Sequence, residues 1–390
     1  MQRMNVELVH SADVDSVWDD WERLFQVDQL ATPFNSPGWG RAWLEHWDPK
    51  AEPWFMRARD GDRIAGIAPL AMRRDLPARV LWMIGKDPGD YWDVIAAPED
   101  RERVALSVGA ELMRLAPRWD AGVFNCFPPE SRTLDQFASA GLRIFPRAPV
   151  VSPRIELPET FEAYLSALPS SHRQNLRKHL RRLDSGEVSL REIDDRAELS
   201  EVMQRWRALR SLQWQARGKQ ISASHEKDHF HRFMLDAVTR LLDSGLAVVW
   251  EFRWQERVVG VYLNFADKRS FYWYLGGFDP DCAQLGLGKI AVGAAIRASI
   301  TAGRRVFDFT RGEDPYKYWY GATDRHLASV VIGHGGPRSR VALTAARLAS
   351  SYRERKASGK TDLPPTKSPR PTKPAETMTT GRARRSQREL

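Results

Sequence analysis

The residues best suited to chemistry follow a short apolar strand in the second half of the chain. Asp308 lies near the end of that strand, and the segment from Phe309 to Lys317 adds Arg, Glu, Asp, Tyr and Lys side chains. A strand end that leads ionisable groups into a turn holds them on a rigid support. Acyl transfer to an amine or hydroxyl needs a base, a proton donor for the leaving group and positioned donors for the oxyanion. This segment offers residues of the required types.

Each role has more than one candidate. We assign Asp308 or Glu313 as the base, Tyr316 or Tyr318 as the acid, and Arg311 and Lys317 as binders of an anion. The catalytic set is therefore Asp308, Glu313, Tyr316 and Lys317. A charged turn that only pairs its own residues is an equally good interpretation of the pattern.

A second candidate feature is a pair of glycines where a helix is predicted to begin. Glycines at a helix N-terminus let backbone N–H groups approach a phosphate, and the helix dipole favours the negative charge. The cofactor-binding set is Gln284, Gly286, Leu287, Gly288 and Lys289. The alternative is a turn that needs glycine only for its positive φ. Ala283 and Ile290 break the P-loop pattern, which argues against kinase and GTPase functions.

The helix predicted from Ser171 carries arginines at four-residue spacing. Arg173, Arg177 and Arg181 lie on one face, while leucines form its buried stripe. A solvated basic face and a surface that binds an anionic substrate or a phosphate-bearing carrier are both consistent with this pattern.

Other common site signatures are missing from the sequence. It has no Gly-x-Ser-x-Gly or Cys-x-x-Cys motif. His225, His229 and His231 lie close together, but no fourth ligand has suitable spacing, so we expect them on a helix surface. We therefore predict an enzyme without a metal.

The predicted elements repeat one order in the two halves of the chain. A hairpin near Gly61 precedes further strands, a helix and the strand 122–127, and a hairpin near Gln255 precedes the strand 270–276, the helix 289–301 and the strand 305–309. Helices predicted over 161–168, 171–183, 197–215 and 226–242 introduce the second half. This order indicates a duplicated α/β unit.

Several segments resemble acetyltransferases of the CelD/BcsL type, a branch of the GNAT superfamily named for cellulose biosynthesis. The resembling segments are Thr32 to Trp39, Ile67 to Leu70, Asp90 to Asp93, Ser171 to Lys178, and the run from Gly288 through Phe307 to Lys317. The resemblance covers residues 5 to 335. It implies an α/β (α+β) fold of two tandem GNAT-like domains, akin to Fem-type transferases, with mixed, mostly antiparallel sheets flanked by helices.

The resemblance also implies a function. We expect an N- or O-acyltransferase that moves an acyl group, such as acetyl, from acyl-CoA (acetyl-CoA) to a small-molecule or glycan-precursor acceptor in cell-envelope or exopolysaccharide synthesis. The substrate-binding set is Arg173, Arg177, Tyr274, Arg311 and Asp90. The general GNAT phosphate loop has Arg or Gln three residues before its first glycine, whereas this chain has Ala283 there. An aminoacyl-tRNA donor, as in Fem-like transferases, is therefore the alternative.

Composition sets the remaining expectations. We predict domains over 1–156 and 157–335, then a short helix and a disordered basic tail over 336–390, where residues 353–390 carry eleven Lys and Arg against four Asp and Glu. The tail is interpreted as solubilising or as a contact for anionic surfaces, with no specific nucleic-acid partner. An adaptor acting through the tail is the non-enzymatic alternative. Two distant cysteines and no long apolar run favour a cytoplasmic protein, with peripheral contact to the inner membrane face as an option.

Overall fold

We analysed a computed structural model of the chain. It describes residues 4–9, 14–75, 78–216, 218 and 228–345. His225 and the basic tail from residue 346 onwards lie outside the described residues, so the predictions made for them stay predictions. Among the described residues, no helix is both long and apolar enough to cross a membrane.

The first half of the chain is rich in β-strands. Its elements are β1 (Asn5–Leu8), α1 (Val14–Val27), α2 (Pro37–Ala42), β2 (Glu52–Asp60), β3 (Arg63–Asp75), β4 (Ala78–Met83), β5 (Ile95–Ala96), α3 (Arg101–Arg114), β6 (Ala121–Phe127), α4 (Thr133–Ser139), β7 (Arg143–Pro146) and β8 (Val150–Val151). A π-helical segment, Trp43–Trp47, follows α2 directly.

The second half begins with a short strand and two helices. Its elements are β9 (Arg154–Glu156), α5 (Phe161–Ala167), α6 (Ser170–Asp184), β10 (Ser189–Ile193), α7 (Leu199–Ala216), α8 (Asp228–Asp243), β11 (Ala247–Trp254), β12 (Arg257–Ala266), β13 (Ser270–Phe278), α9 (Leu287–Thr301), β14 (Val306–Asp308), α10 (Pro315–Trp319) and β15 (His326–Gly333). A 3-10 segment, Pro280–Leu285, leads from β13 to the start of α9.

Two mixed sheets share one topology. The order β1-β2-β3-β4-β6 in the first sheet corresponds to β10-β11-β12-β13-β14 in the second. In each sheet the last of these pairs is parallel and the other three are antiparallel. The helices α3 and α9 connect the parallel pairs, as a crossover between parallel strands requires. This correspondence supports the duplicated unit that the sequence indicates.

Two strands pair across the domain boundary predicted at residue 156. β15 pairs with β6 and β7 of the first sheet, although it comes last among the strands described. β9 pairs with β14 at the edge of the second sheet. The predicted boundary at residue 156 is therefore crossed by strand pairing, and the boundaries at 156 and 335 remain predictions.

The second sheet is covered on both faces. One apolar cluster joins α7 and α8 to tryptophans of the first half, and another places α6 and α9 on the opposite face. α9 lies between this sheet and the helices α5 and α6, which explains why it has ten buried residues out of fifteen rather than a single apolar stripe. The predicted fold class, mixed α/β with mostly antiparallel sheets and flanking helices, is confirmed.

Candidate active site

The candidate site lies where the parallel strands β13 and β14 separate. The two strands pair from Ser270 and Val306 to Tyr272 and Asp308, after which β14 ends and β13 continues to Phe278. The carboxyl ends of parallel strands lie at the same sheet edge. The start of α9, which follows β13, and the turn after Asp308 therefore face a common edge.

The glycine turn, where α9 begins, contains two glycines with different surroundings. Gly286 has φ +66, and a Cβ atom on it would lie 2.3 Å from Cε1 of His179. Gly288 would place a Cβ with no atom of the structure within 4 Å. Gly286 is thus required by the turn itself, whereas Gly288 opens backbone of the first helical turn to the outside.

The other members of the predicted cofactor-binding set surround this turn. The exposed Gln284 accepts a hydrogen bond from Arg182 Nη1 at its carbonyl oxygen (2.8 Å), and Leu287 is buried in the core. Lys289 Nζ donates to Asn175 Oδ1 of α6 over 3.1 Å. Burial lowers the pKa of His179, and Lys289 and Arg182 lower it further. The turn therefore lies in a positive field that suits an anion.

Contacts from α6 and α9 reach the segment after β14. The His172 ring stacks on the Trp319 indole with centroids 4.7 Å apart, and Lys289 Nζ lies 5.7 Å from the same indole. Trp319 ends α10, which follows the charged turn. Lys289 of the predicted cofactor-binding set and the helix that carries Lys317 are thus brought together.

Asp308 is buried at the junction of the two halves. Tyr91 and Ser152 donate hydrogen bonds to its carboxylate over 2.6 and 3.1 Å, and the Thr310 backbone N–H donates over 2.7 Å. Burial raises the pKa of Asp308, and the hydrogen bonds from Tyr91 and Thr310 oppose that rise. Only 2% of Asp308 is exposed, so its carboxylate contacts these hydrogen-bond partners and holds the start of the charged turn.

Lys317 closes the turn from within. Its Nζ donates to the carbonyl oxygens of Thr310, Arg311 and Gly312 over 3.1, 2.9 and 2.8 Å. Burial lowers the pKa of this ammonium group. An ammonium group has three donors, and these carbonyls use all of them. The geometry therefore gives Lys317 a positioning role rather than contact with a substrate anion.

Three of the predicted substrate-binding residues lie close together between the halves, beside a crevice that Arg311 lines with Lys86 and Asp87. Arg311 Nε lies 2.6 Å from Asp90 Oδ1, and the Arg311 side chain is 39% exposed while that of Asp90 is 2% exposed. Tyr274 donates a hydrogen bond to the carbonyl oxygen of Pro88 over 2.7 Å. Arg311, Asp90 and Tyr274 are thus brought together by residues that are distant in sequence.

The remaining predicted residues lie on the surface. Arg173 donates to the Ser166 carbonyl over 3.4 Å, and Arg177 pairs with Glu162. Glu313 is exposed in the charged turn, and Tyr316 is 45% exposed with its ring 6.0 Å from that of Phe309. The alternative acid, Tyr318, donates to Asp324, which raises the pKa of Tyr318 to about 12.

Some site residues gave no usable signal in the sequence. Tyr91 lies beside Asp90 in a segment noted only for its resemblance, and Ser152 lies in an ordinary connection.

A pocket lined by Trp43, Trp47 and Trp82 adjoins the crevice through Lys86 and Asp87. Lys86 Nζ lies 3.2 Å from the centre of the Trp82 ring. Only a folded chain brings these aromatic residues together.

One group of metal-type ligands occurs in the part of the chain that the structure describes. Glu45, His46 and Asp236 offer atoms within 4.8 Å of one another. Arg240 binds both carboxylates, with Nη2 3.0 Å from Glu45 and Nε 2.9 Å from Asp236. A guanidinium group therefore already compensates their charge.

Comparisons with known proteins agree with this architecture. Residues 170–318 match the family model described as acetyltransferase (GNAT) domain. FemX shares the fold with a TM-score of 0.59 at 10% identity, over 84% of this chain and 97% of FemX. L-PGS from Bacillus licheniformis gives a TM-score of 0.52 at 12% identity, over 85% of this chain and 96% of that one. No curated protein matches the sequence. Residues 170–318 thus resemble an acetyltransferase (GNAT) domain, and the chain shares its fold with FemX.

Proposed function

We propose that the protein is an acyltransferase that moves an acyl group from acyl-CoA to an amine or hydroxyl of a cell-envelope or exopolysaccharide precursor. The observation that carries the proposal is the shared edge of β13 and β14, where the glycine turn before α9 and the charged turn after Asp308 meet. A helix N-terminus with an open glycine and neighbouring cations suits the phosphates of the donor. The residues present therefore fit an acyl-CoA.

In this proposal the chain positions groups rather than forming a covalent intermediate. Acyl-CoA supplies the thioester carbonyl, which the acceptor nitrogen or oxygen attacks as the carbon–sulfur bond breaks. Glu313 is the exposed carboxylate of the charged turn and takes the proton of the nucleophile, while Tyr316 protonates the departing thiolate. Asp308 and Lys317 keep the turn in place.

The acceptor approaches from the crevice between the halves. Arg311 lines it and pairs with the buried Asp90, and the adjoining pocket presents tryptophan faces beside Lys86 and Asp87. Aromatic faces with charged groups at their rim suit a ring that has one apolar side and polar substituents. This composition supports a sugar-containing acceptor.

Calorimetric titration of the purified full chain with acetyl-CoA and longer acyl-CoAs tests the donor. We expect saturable binding of at least one of them, and transfer of radiolabelled acetyl to an amino-sugar acceptor. If none of these thioesters binds, the acyl-CoA proposal is wrong.

A second candidate is transfer of an aminoacyl group from a charged tRNA. Ala283 leaves the position before the glycine turn without a side-chain donor, and the outer face of α6 carries exposed Arg177 and Arg181. A transfer assay with radiolabelled aminoacyl-tRNA in place of acyl-CoA distinguishes the two donors, since only one should give a labelled acceptor.

A further inference from the structure

Arg210 of α7 is a buried cation without an acidic partner among the residues that the structure describes. Only 7% of the residue is exposed, and its Nε atom is fully buried without a hydrogen-bond partner. Within the described part of the chain, the Arg210 guanidinium group forms no ion pair and donates no side-chain hydrogen bond. Burial lowers its pKa, but a guanidinium group stays protonated in proteins. The fold therefore keeps a positive charge inside at a cost in stability.

The position of this side chain is fixed by close packing. A Cβ atom on Gly277 of β13 would lie 2.6 Å from the Arg210 backbone nitrogen, so α7 rests directly on the strand at a glycine. The guanidinium carbon lies 5.6 Å from the Trp206 ring and 5.8 Å from the Trp214 ring. The Trp206 Nε1 atom, one helical turn before Arg210, is also buried without a hydrogen-bond partner. Two donors on the same helix thus lack acceptors in the part of the chain that the structure describes.

Arg210 lies beside the candidate site. Arg210 packs on Gly277 of β13, the strand that also carries Tyr274. Burial and the Asp90 carboxylate raise the pKa of Tyr274, and Arg311 and Arg210 both oppose that rise. The Tyr274 hydroxyl reaches the Pro88 carbonyl in the first half. Asp90 already pairs with Arg311. Of these two cations, Arg210 is therefore the one that lacks a carboxylate partner within the described residues.

We propose that Arg210 binds a carboxylate group of the acceptor, so that the protein acylates acidic rather than neutral precursors. This inference rests on the proposed function and specifies its substrate class. A guanidinium group presents a planar set of donors that matches a carboxylate. A single negative charge neutralises one buried guanidinium, whereas the double charge of a phosphate monoester would leave excess charge inside.

Three sugars that differ at one carbon test the proposal. The full chain is titrated calorimetrically with D-glucuronate, D-glucose and D-glucose 6-phosphate at constant ionic strength. We expect glucuronate to bind about ten-fold or more tightly than glucose, as a charge-assisted pair implies. Arg210→Gln should abolish that preference and leave acetyl-CoA binding unchanged.

The matched control is Arg207→Gln on the same helix. The Arg207 side chain is 49% exposed and pairs with Asp228 over 3.0 Å, so its loss should keep the preference for glucuronate. Circular dichroism melting checks that each variant is folded, and Arg210→Lys, which retains the charge, should keep part of the preference.

Each other outcome overturns the inference. Equal binding of glucuronate and glucose, preference for glucose 6-phosphate, or a preference that survives Arg210→Gln would show that Arg210 does not select a carboxylate. If the unaltered chain does not bind acetyl-CoA, the proposed function is wrong instead. Failure of the inference and failure of the proposed function are therefore distinguishable.

Discussion

The Tyr91 hydroxyl donates a hydrogen bond to Asp308 Oδ2 over 2.6 Å, across 217 positions of sequence. Tyr91 belongs to the first half and Asp308 ends the strand β14 of the second, and both are buried. Ser152, from the connection between the halves, donates to the same carboxylate. This carboxylate therefore links three separate segments at the base of the charged turn.

Removing the Tyr91 hydroxyl should destabilise the protein. Tyr91→Phe leaves a buried carboxylate with one donor fewer, and we expect a loss of about 1–3 kcal/mol in the free energy of unfolding, measured by urea denaturation. Tyr318→Phe is the control, because its hydroxyl binds Asp324 at the surface and its loss should cost less than about 0.5 kcal/mol. Equal effects of the two substitutions would contradict a structural role for the Tyr91 bond.

The raised pKa of Asp308 predicts a pH dependence of stability. Because burial raises this pKa above 3.8, the folded protein holds the proton more tightly than the unfolded chain. The contribution of Asp308 is therefore complete below pH 3.8 and declines as pH rises towards the folded pKa. The difference in unfolding free energy between the unaltered chain and Asp308→Asn should decline across this window. A difference that grows with pH would show that the fold stabilises the anion instead.

The two glycines of the glycine turn provide a matched pair of substitutions. Gly286→Ala places a methyl group at positive φ and against His179, so we expect a loss of about 1–3 kcal/mol in stability. Gly288→Ala meets no neighbour within 4 Å and should leave the melting temperature nearly unchanged. If acyl-CoA phosphates lie against this turn, Gly288→Ala should nevertheless weaken acetyl-CoA binding about ten-fold in calorimetry. Unchanged binding by a stable Gly288→Ala variant would exclude this turn as the donor site.

Local patterns in the sequence are enough to predict most of the second sheet and its helices. The helix predicted over 289–301 lies within α9, and the strand predicted over 305–309 contains β14. The pairing of β9 and β15 across the predicted boundary could not be predicted, because nothing in their own sequences indicates which sheet they join. The predicted fold class is confirmed all the same, but its GNAT type was implied by the resemblance of whole segments and not by local patterns.

The candidate site, too, could be predicted from the sequence only in part. Residue types identified the charged turn and the glycine turn, but they could not distinguish an exposed group from an internal one. Lys317 and Glu313 are four residues apart, yet Lys317 is buried among carbonyl oxygens and Glu313 is exposed. That difference arises because Thr310 and Gly312 adopt positive φ values of 56° and 105°, where the chain folds back over the ammonium group. Tertiary geometry of this kind leaves no periodic trace in a sequence.

Replacing Lys317 separates positioning from direct catalysis. Lys317→Met leaves three carbonyl oxygens of the charged turn without their donor, and we expect a loss of about 2–4 kcal/mol in the free energy of unfolding. Acyl transfer should fall with it, because the turn no longer holds Glu313 and Arg311 in place. Lys178→Met, an exposed change on α6, is the control for loss of a lysine charge and should leave stability within about 0.5 kcal/mol. A Lys317→Met variant that unfolds like the unaltered chain but no longer transfers acyl groups would instead mean that the ammonium group contacts the substrate.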